Sequence, residues 1–481
     1  MACNSAACKS GCDAYSEDGE KEHQSRPTTD CNGDAPVSNS TEPSRNRICV
    51  KCKINETIAA SGVGAGIRGD GGRFCADCFK SNLYWKFRFS VTSNDMISPA
   101  DNVLVAFSGG PSSRVALHFV SEMQDKAQKN FEASRDRALP VFGVGVAFVD
   151  EQSVSAIPHH EFDKAIEHMK LIISNLPPPL KQFHVVPTES VYSLKPADGR
   201  ERLKKLIDVI TDTTGKEDLL EHMRMLALQK IAIENGYTKI VLGKCTSRIA
   251  CHVLEATVKG KGYSLAADIQ YVDARWEVPV LSPLRDCFSH EIDLLCCLES
   301  NTFWQGSLKT VELFDRPRSG INGLVSSFVK LLQEENLSRE STIVRTAGKL
   351  TPFHFNRIPE DDKCYGPTAS QRRRKKQNLK TDPLLSQESF CPICNSPVKM
   401  SDIVNMARSE NVQTSMDLVE LCCLSCRFQI LPAEISSTNA FYSLLPDPII
   451  SRAKDARSIN QSLLLREQIE DCLLSDTEDE T

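Results

Sequence analysis

From about residue 101 the chain reads as short apolar runs separated by stretches of helical spacing. Residues 103–107 (VLVAF) form a continuous apolar run of strand length, broken by Ser108, Gly109 and Gly110. Val115, Leu117, Phe119, Val120 and Met123 then recur at helical intervals. Residues 139–149 (LPVFGVGVAFV) predict a second buried strand, 162–173 a helix and 183–186 a third strand. Over 217–235, Leu220, Met223, Ala227 and Ile231 stand three or four apart, and Gly236 follows where a helix end takes a left-handed residue. Residues 240–242 predict the next strand. Strands that are apolar throughout are buried on both faces, and strands that alternate with helices pair in parallel. The expected fold class is α/β, with a parallel sheet covered by helices on both faces.

Outside that core the pattern changes. Residues 1–45 are rich in Ser, Asp, Glu, Asn and Pro and carry almost no large apolar side chain after Tyr15. Such a segment cannot bury enough surface to offset its ordering entropy, so a disordered tail is expected, with Cys3, Cys8, Cys12 and Cys31 as loose thiols. The aromatic run FKSNLYWKFRF, after the first cysteine unit, is expected to anchor that unit on the main domain. Residues 370–380 (SQRRRKKQNLK) read as a basic linker, and SDTEDET as a solvated acidic end. The expected boundaries are a tail over 1–45, a cysteine unit over 46–95, an α/β domain over 96–350, a linker over 351–388, a second cysteine unit over 389–430, and a helical and acidic tail over 431–481.

Composition then narrows the class. With 41% hydrophobic and 25% charged residues, the 481-residue chain has the make-up of a globular protein. Its net charge of -6 confines any nucleic-acid contact to local basic patches. No apolar run approaches membrane-spanning length, and the N-terminus lacks the apolar stretch of a secretory signal. These features, with several of the 20 cysteines in CxxC pairs of metal-like spacing, point to a reducing compartment, cytosol or nucleus.

Cys49, Cys52, Cys75 and Cys78 form one CxxC…CxxC set with 22 residues between the pairs. Cys391, Cys394, Cys423 and Cys426 form another with 28 between. Two intervening residues let both thiolates of a knuckle reach one ion at about 2.3 Å, and a second knuckle completes a tetrahedron. Zinc is the expected ion, and four cysteines without an open position imply a structural role. Cys422 adjoins Cys423, but only Cys423 keeps the register. A RING-type ubiquitin ligase is disfavoured, since it needs two interleaved sites in one short stretch.

The segment AFSGGPSSR, 106–114, carries the most chemical information. A buried strand that ends in Ser-Gly-Gly and enters a helix presents backbone N–H groups at a helix N-terminus, a geometry suited to pyrophosphate. The glycines permit close approach, and Ser112 or Ser113 is placed to cap the helix. The segment resembles the PP-loop, SGGxDS, of the ATP-pyrophosphatase superfamily, whose core is adenine nucleotide alpha hydrolase-like. Ser108, Gly109, Gly110 and Ser113 match, while Ser112 stands where the family has Asp. The resemblance implies a nucleotide site that is vestigial, because a hydroxyl cannot supply the missing charge to ATP and magnesium. Downstream, GKCTSR stands where thiolating members show Gly-His-Asn-x-Asp-Asp, so Lys244 replaces the His while Ser247 and Arg248 replace the paired acids. The helix EDLLEHMRMLALQKIA lacks the CxxC of catalytic thiolases. Cys245, Cys251 and Cys287 lie nearby in sequence but at no family position; small buried residues are the plainer expectation.

From residue 45 to 430 this arrangement is similar to that of the PP-loop-degenerate subunits of cytosolic tRNA 2-thiolation complexes. That resemblance implies a heterodimer with a catalytic PP-loop subunit, sulfur drawn from a thiocarboxylated ubiquitin-like carrier, and delivery to C2 of the wobble uridine in tRNAs for Lys, Glu and Gln. Expected RNA contacts are Lys244, Arg248, Lys259, Lys261 and Arg275, together with Arg372, Arg373, Arg374, Lys375 and Lys376 in the linker. Two other readings stay open on residues alone: an ATP-dependent tRNA sulfurtransferase active without a partner, and a zinc-ribbon module that binds RNA or protein on an unrelated core.

Overall fold

A computed structural model describes residues 47–60, 70–134, 140–155, 157–193, 196–299, 319–336, 338–357, 389–399, 416–432 and 434–458. The expected N-terminal tail, with its four cysteines, and the basic run at 372–376 lie outside these residues.

Six strands form one sheet: β1 (Asn102–Ala106), β2 (Gly143–Asp150), β3 (Gln182–Pro187), β4 (Lys239–Val241), β5 (Val272–Asp273) and β6 (Val280–Leu281), in the order β3-β2-β1-β4-β6-β5. All pair in parallel except β5, which runs antiparallel to β6 at the edge. The register sets Val103 opposite Val144 on one side and Lys239 on the other. A second, two-stranded sheet joins β7 (Ser389–Phe390) to β8 (Pro397–Val398). This is the α/β architecture that the alternation of apolar runs and helical spacing predicts.

Alternation along each strand divides the core between the two faces. Val103 and Val105 enter one cluster with α1 (Ala76–Ser93), α2 (Pro111–Ala133) and α3 (His159–Ser174). Leu104 enters the other with α4 (Pro196–Val209) and α5 (Thr213–Glu234). Beyond β4 come α6 (Thr246–Val258), the short α7 (Leu265–Asp268) and α8 (Ser289–Leu298). Then follow α9 (Gly320–Glu335), α10 (Arg339–Ala347), α11 (Met416–Leu421), α12 (Leu424–Gln429), α13 (Ile435–Leu444) and a last helix, α14, over 447–458. The spacing-based expectations place the helices well but short: α2 and α5 begin four residues before the first position of the predicted span, in turns that are polar. Gly236 adopts φ 69° just past α5, as its position suggests.

The two cysteine units sit on opposite faces. The first continues into α1, whose Phe79, Leu83, Tyr84 and Phe87 are buried in the first cluster. The second contributes Cys391, Ile393, Cys394, Cys426 and Ile430 directly to the second cluster. No described helix is long and apolar enough to cross a membrane.

Candidate functional site

The sheet changes winding direction between β1 and β4, since β2 lies on one side of β1 and β4 on the other. In parallel α/β sheets, ligands bind beyond the carboxyl ends of the strands at such a switch point. Both motifs singled out in the sequence meet there. Ser108, Gly109 and Gly110 follow β1, and Gly243, Lys244 and Cys245 follow β4. A Cβ on Gly243 would stand 2.8 Å from the carbonyl of Ser112 and the amide of Ser113, so only glycine lets the two loops pack this closely.

Gly109 takes φ 79°, a left-handed conformation that costs a residue with a Cβ about 1–2 kcal/mol. Gly110 is the N-cap of α2 and Pro111 its first residue. The sequence assigned the cap to Ser112 or Ser113; the structure moves it upstream, because the fixed φ of proline suits the first helical position. Ser113 Oγ donates instead to the Gly110 carbonyl at 2.9 Å and lies 3.3 Å from Ser108 Oγ. Pro111 also removes one N–H from the cradle, a loss that matching the chain to SGGxDS does not register, since the proline falls at the variable position. Sequence reasoning misses Arg114 as well. Its buried guanidinium donates through Nε to the Gly109 carbonyl. Burial pulls its pKa down to about 10, against the opposing field of Cys296.

The second loop is held by neutral bonds. Thr246 Oγ1 donates to the Arg285 carbonyl at 2.6 Å, and Ser247 Oγ bonds Ser289 Oγ at 2.9 Å while accepting from the Ser289 amide at 3.1 Å. Thus Ser247, at the first of the two acid positions, is buried and turned to the start of α8, while Arg248, at the second, is exposed. Lys244 is half-buried just after β4 and forms no ion pair with a described residue. The nearby thiols are poor nucleophiles: burial, then Glu291, pushes Cys287 well above its ordinary pKa, and burial pushes Cys296 up to about 12 despite Arg114. Cys245 is buried at the N-cap of α6, and Cys251 is half-buried within that helix.

Both cysteine sets converge. In each, the four Sγ atoms lie within 4.8 Å of one another, with Cys52 and Cys75 at 3.8 Å and Cys394 and Cys423 at 3.6 Å. The two units share one construction. The amide of Lys53 donates to the Cys49 carbonyl and that of Asn395 to the Cys391 carbonyl, and both residues take positive φ, 56° and 58°. Cys75 and Cys423 are N-caps of α1 and α12. Cys422 turns into the core instead. The donor set fits a tetrahedral cation in both places. At the second there is further support. Arg452 stacks on Trp276, with its terminal nitrogens buried and without hydrogen-bond partners; burial lowers its pKa, and Cys391, Cys394 and Cys426 oppose that shift. Burial alone would lower the Lys261 ammonium, but Cys394, Cys426 and Cys423 outweigh it and leave its pKa well above the lysine value. Two cations beside one quartet suit a four-thiolate metal site, which carries net negative charge.

Of the basic residues expected to meet RNA, three have internal work. Lys259 Nζ is 2.8 Å from both Asp218 oxygens and 2.6 Å from Asn322 Oδ1, with 5% of its side chain exposed. Arg275 bonds Asp268 and Asp273 and reaches the Asn395 carbonyl at 3.3 Å, tying the sheet edge to the Cys391–Cys394 knuckle. Lys261 stands against the second quartet. Lys244 and Arg248 remain at the carboxyl end of β4, without a described ion pair.

No family model matches the chain. Among curated proteins it is 55% identical to the cytoplasmic tRNA 2-thiolation protein 2 of Arabidopsis thaliana, with all of both chains covered. It is 48% identical to the protein of that name from Oryza sativa subsp. indica over 91% of each chain, and 25% identical to the human one over 91% of this chain and 95% of that one. Among solved structures it is similar to the U34-tRNA thiolase NcsA of Methanococcus maripaludis, at 15% identity and a TM-score of 0.42, over 63% of this chain and 86% of that one. The fold itself rests on the strand order and the paired loops. With full-length coverage at more than half identity, the chain belongs to the cytoplasmic tRNA 2-thiolation protein 2 family.

Proposed function

We propose that this chain is the non-catalytic subunit of a cytosolic complex that thiolates C2 of the tRNA wobble uridine in tRNAs for Lys, Glu and Gln. It pairs with a catalytic PP-loop subunit, which receives sulfur from a thiocarboxylated ubiquitin-like carrier. The single observation that carries this reading is the cradle at the switch point: its backbone is in place, while the acid positions are Ser112 and Ser247. Activating the uridine oxygen as an adenylate requires a metal-bound pyrophosphate to leave, and metal of that kind is held by carboxylate oxygens. A loop of amides and hydroxyls can stabilise phosphate charge without supplying that grip. The raised pKa values of Cys287 and Cys296 support the same conclusion, since neither is poised as a sulfur carrier.

Both quartets hold zinc in this reading, in closed sites that organise structure. The test is reconstitution with ATP, magnesium, the thiocarboxylated carrier and tRNA, followed by mass spectrometry of the nucleosides. Thiouridine forms only when this chain and the catalytic subunit are both present. Equal yield without this chain would refute the assignment.

A further inference from the structure

With Lys259, Arg275 and Lys261 engaged inside the fold, only Lys244 and Arg248 of the five expected contacts among the described residues are left at the switch point, and an RNA partner needs further surface. The helix that follows the first cysteine unit offers such a surface. Its inner face buries Phe79, Leu83, Tyr84 and Phe87, but Trp85 and Phe89 point outward at 60% and 55% exposure. They stand one turn apart and stack, with ring centroids 5.3 Å apart and planes 18° from parallel. Arg88 is exposed beside them and pairs with no described residue. The same outward stripe carries Ser81 and Thr92, and its one acid, Asp77, is two turns back toward the knuckle. On the other knuckle of the same quartet, Cys49–Cys52, Lys51 and Lys53 are exposed, with no described ion pair.

Two large rings left in water are costly to a fold that needs them only as surface, and they imply an occupant. Aromatic faces next to an arginine plane accept unstacked bases of any sequence, while lysines spaced along the path take phosphates. Exposed Arg88, Lys51 and Lys53 outnumber the exposed acids Glu56 and Asp77 in a chain of net charge -6, which favours a polyanion. We infer that Trp85, Phe89 and Arg88, with Lys51 and Lys53 on the Cys49–Cys52 knuckle, form a docking face for the unpaired nucleotides of an RNA. The inference rests on the tRNA reading above and adds the place of binding.

The experiment uses the full chain in complex with its catalytic partner and a tRNA transcript as probe. Binding is read by fluorescence anisotropy at two salt concentrations. Trp85→Ala/Phe89→Ala weakens binding about tenfold, the scale of one base stack removed. The thermal midpoint and the retention of the partner subunit do not change. Lys51→Ala/Lys53→Ala lowers the slope of log affinity on log salt by roughly 0.7 for each phosphate no longer neutralised. Trp85→Tyr, which keeps a stacking face, retains most of the affinity. Wild-type binding in the aromatic double variant would overturn the surface while leaving the tRNA reading intact. So would loss of the partner subunit in place of RNA, which would make this a protein interface. A wild-type complex with no affinity for tRNA would overturn both.

Discussion

The cysteine quartets keep every donor that a tetrahedral cation needs, whereas the loop at 108–113 keeps its backbone and lacks its acid. The contrast follows from what each site is made of. Amide donors come with the turn between β1 and α2, and that turn is secured by Gly109, Gly110, Pro111 and the close packing of Gly243. Replacing one carboxylate by a hydroxyl leaves the turn undisturbed, so chemistry can go while the scaffold persists. A quartet has no such freedom. Cys391, Cys394 and Cys426 belong to the same core as α5, so losing a ligand costs both metal and packing.

The largest expected effect is therefore at the second quartet. Losing a ligand from a site with an apparent binding free energy on the order of 10 kcal/mol consumes most of a typical stability margin of about 5–15 kcal/mol. Cys391→Ser should leave little soluble chain and sub-stoichiometric zinc by metal analysis. A soluble, cooperatively unfolding variant would show that this quartet is not what secures its face. Next comes Lys259→Ala, which leaves Asp218 buried beside Asn322 without its cation. Such a break costs about 3–5 kcal/mol. Lys244→Ala, at a half-buried side chain without a described ion pair, should stay within about 0.5 kcal/mol. Equal denaturant midpoints for the two variants would erase the distinction between a framework lysine and one without a described ion pair.

Acid should expose a third element. Burial raises the Asp268 pKa, but Arg275 and His252 outweigh it and hold it far below the usual carboxylate value. A carboxyl depressed in the folded state contributes its full stabilisation above the unfolded pKa of about 3.9. That contribution drains away as pH falls below this value toward the folded one. Asp268→Asn should therefore flatten the decline in thermal midpoint below about pH 4. An unchanged acid limb in the variant would assign the decline to other carboxylates. A smaller effect than at the framework charges belongs to the cradle itself. Gly109→Ala forces a Cβ into a left-handed turn, 3.1 Å from Met169, and should cost about 1–2 kcal/mol in chemical denaturation. A neutral outcome would mean that the turn is less fixed than its neighbours imply.

Parts of the fold and site are legible in the sequence for physical reasons. Central parallel strands show as unbroken apolar runs, which is why 103–107 and 143–149 stand out. Metal knuckles show as CxxC because the constraint is local. The two residues of β5 do not stand out, since a short antiparallel edge has no period to read. Nor does sequence show that Lys259 meets Asp218, 41 residues earlier, or that Arg275 spans to Asn395. Those charges look available because their partners come from other elements. The outward rings of Trp85 and Phe89 read as anchors along with Phe79 and Phe87, because helical spacing alone does not say which face of an aromatic-rich helix turns inward.

The most direct test of a cradle that holds without reacting is ATP–pyrophosphate exchange by the purified chain with magnesium and tRNA, free of the proposed catalytic subunit. The account predicts no exchange above background from wild type, with the thermal midpoint of the chain confirming that it is folded. Steady label transfer into ATP by the partner-free chain would contradict it, because the missing carboxylate would then be dispensable.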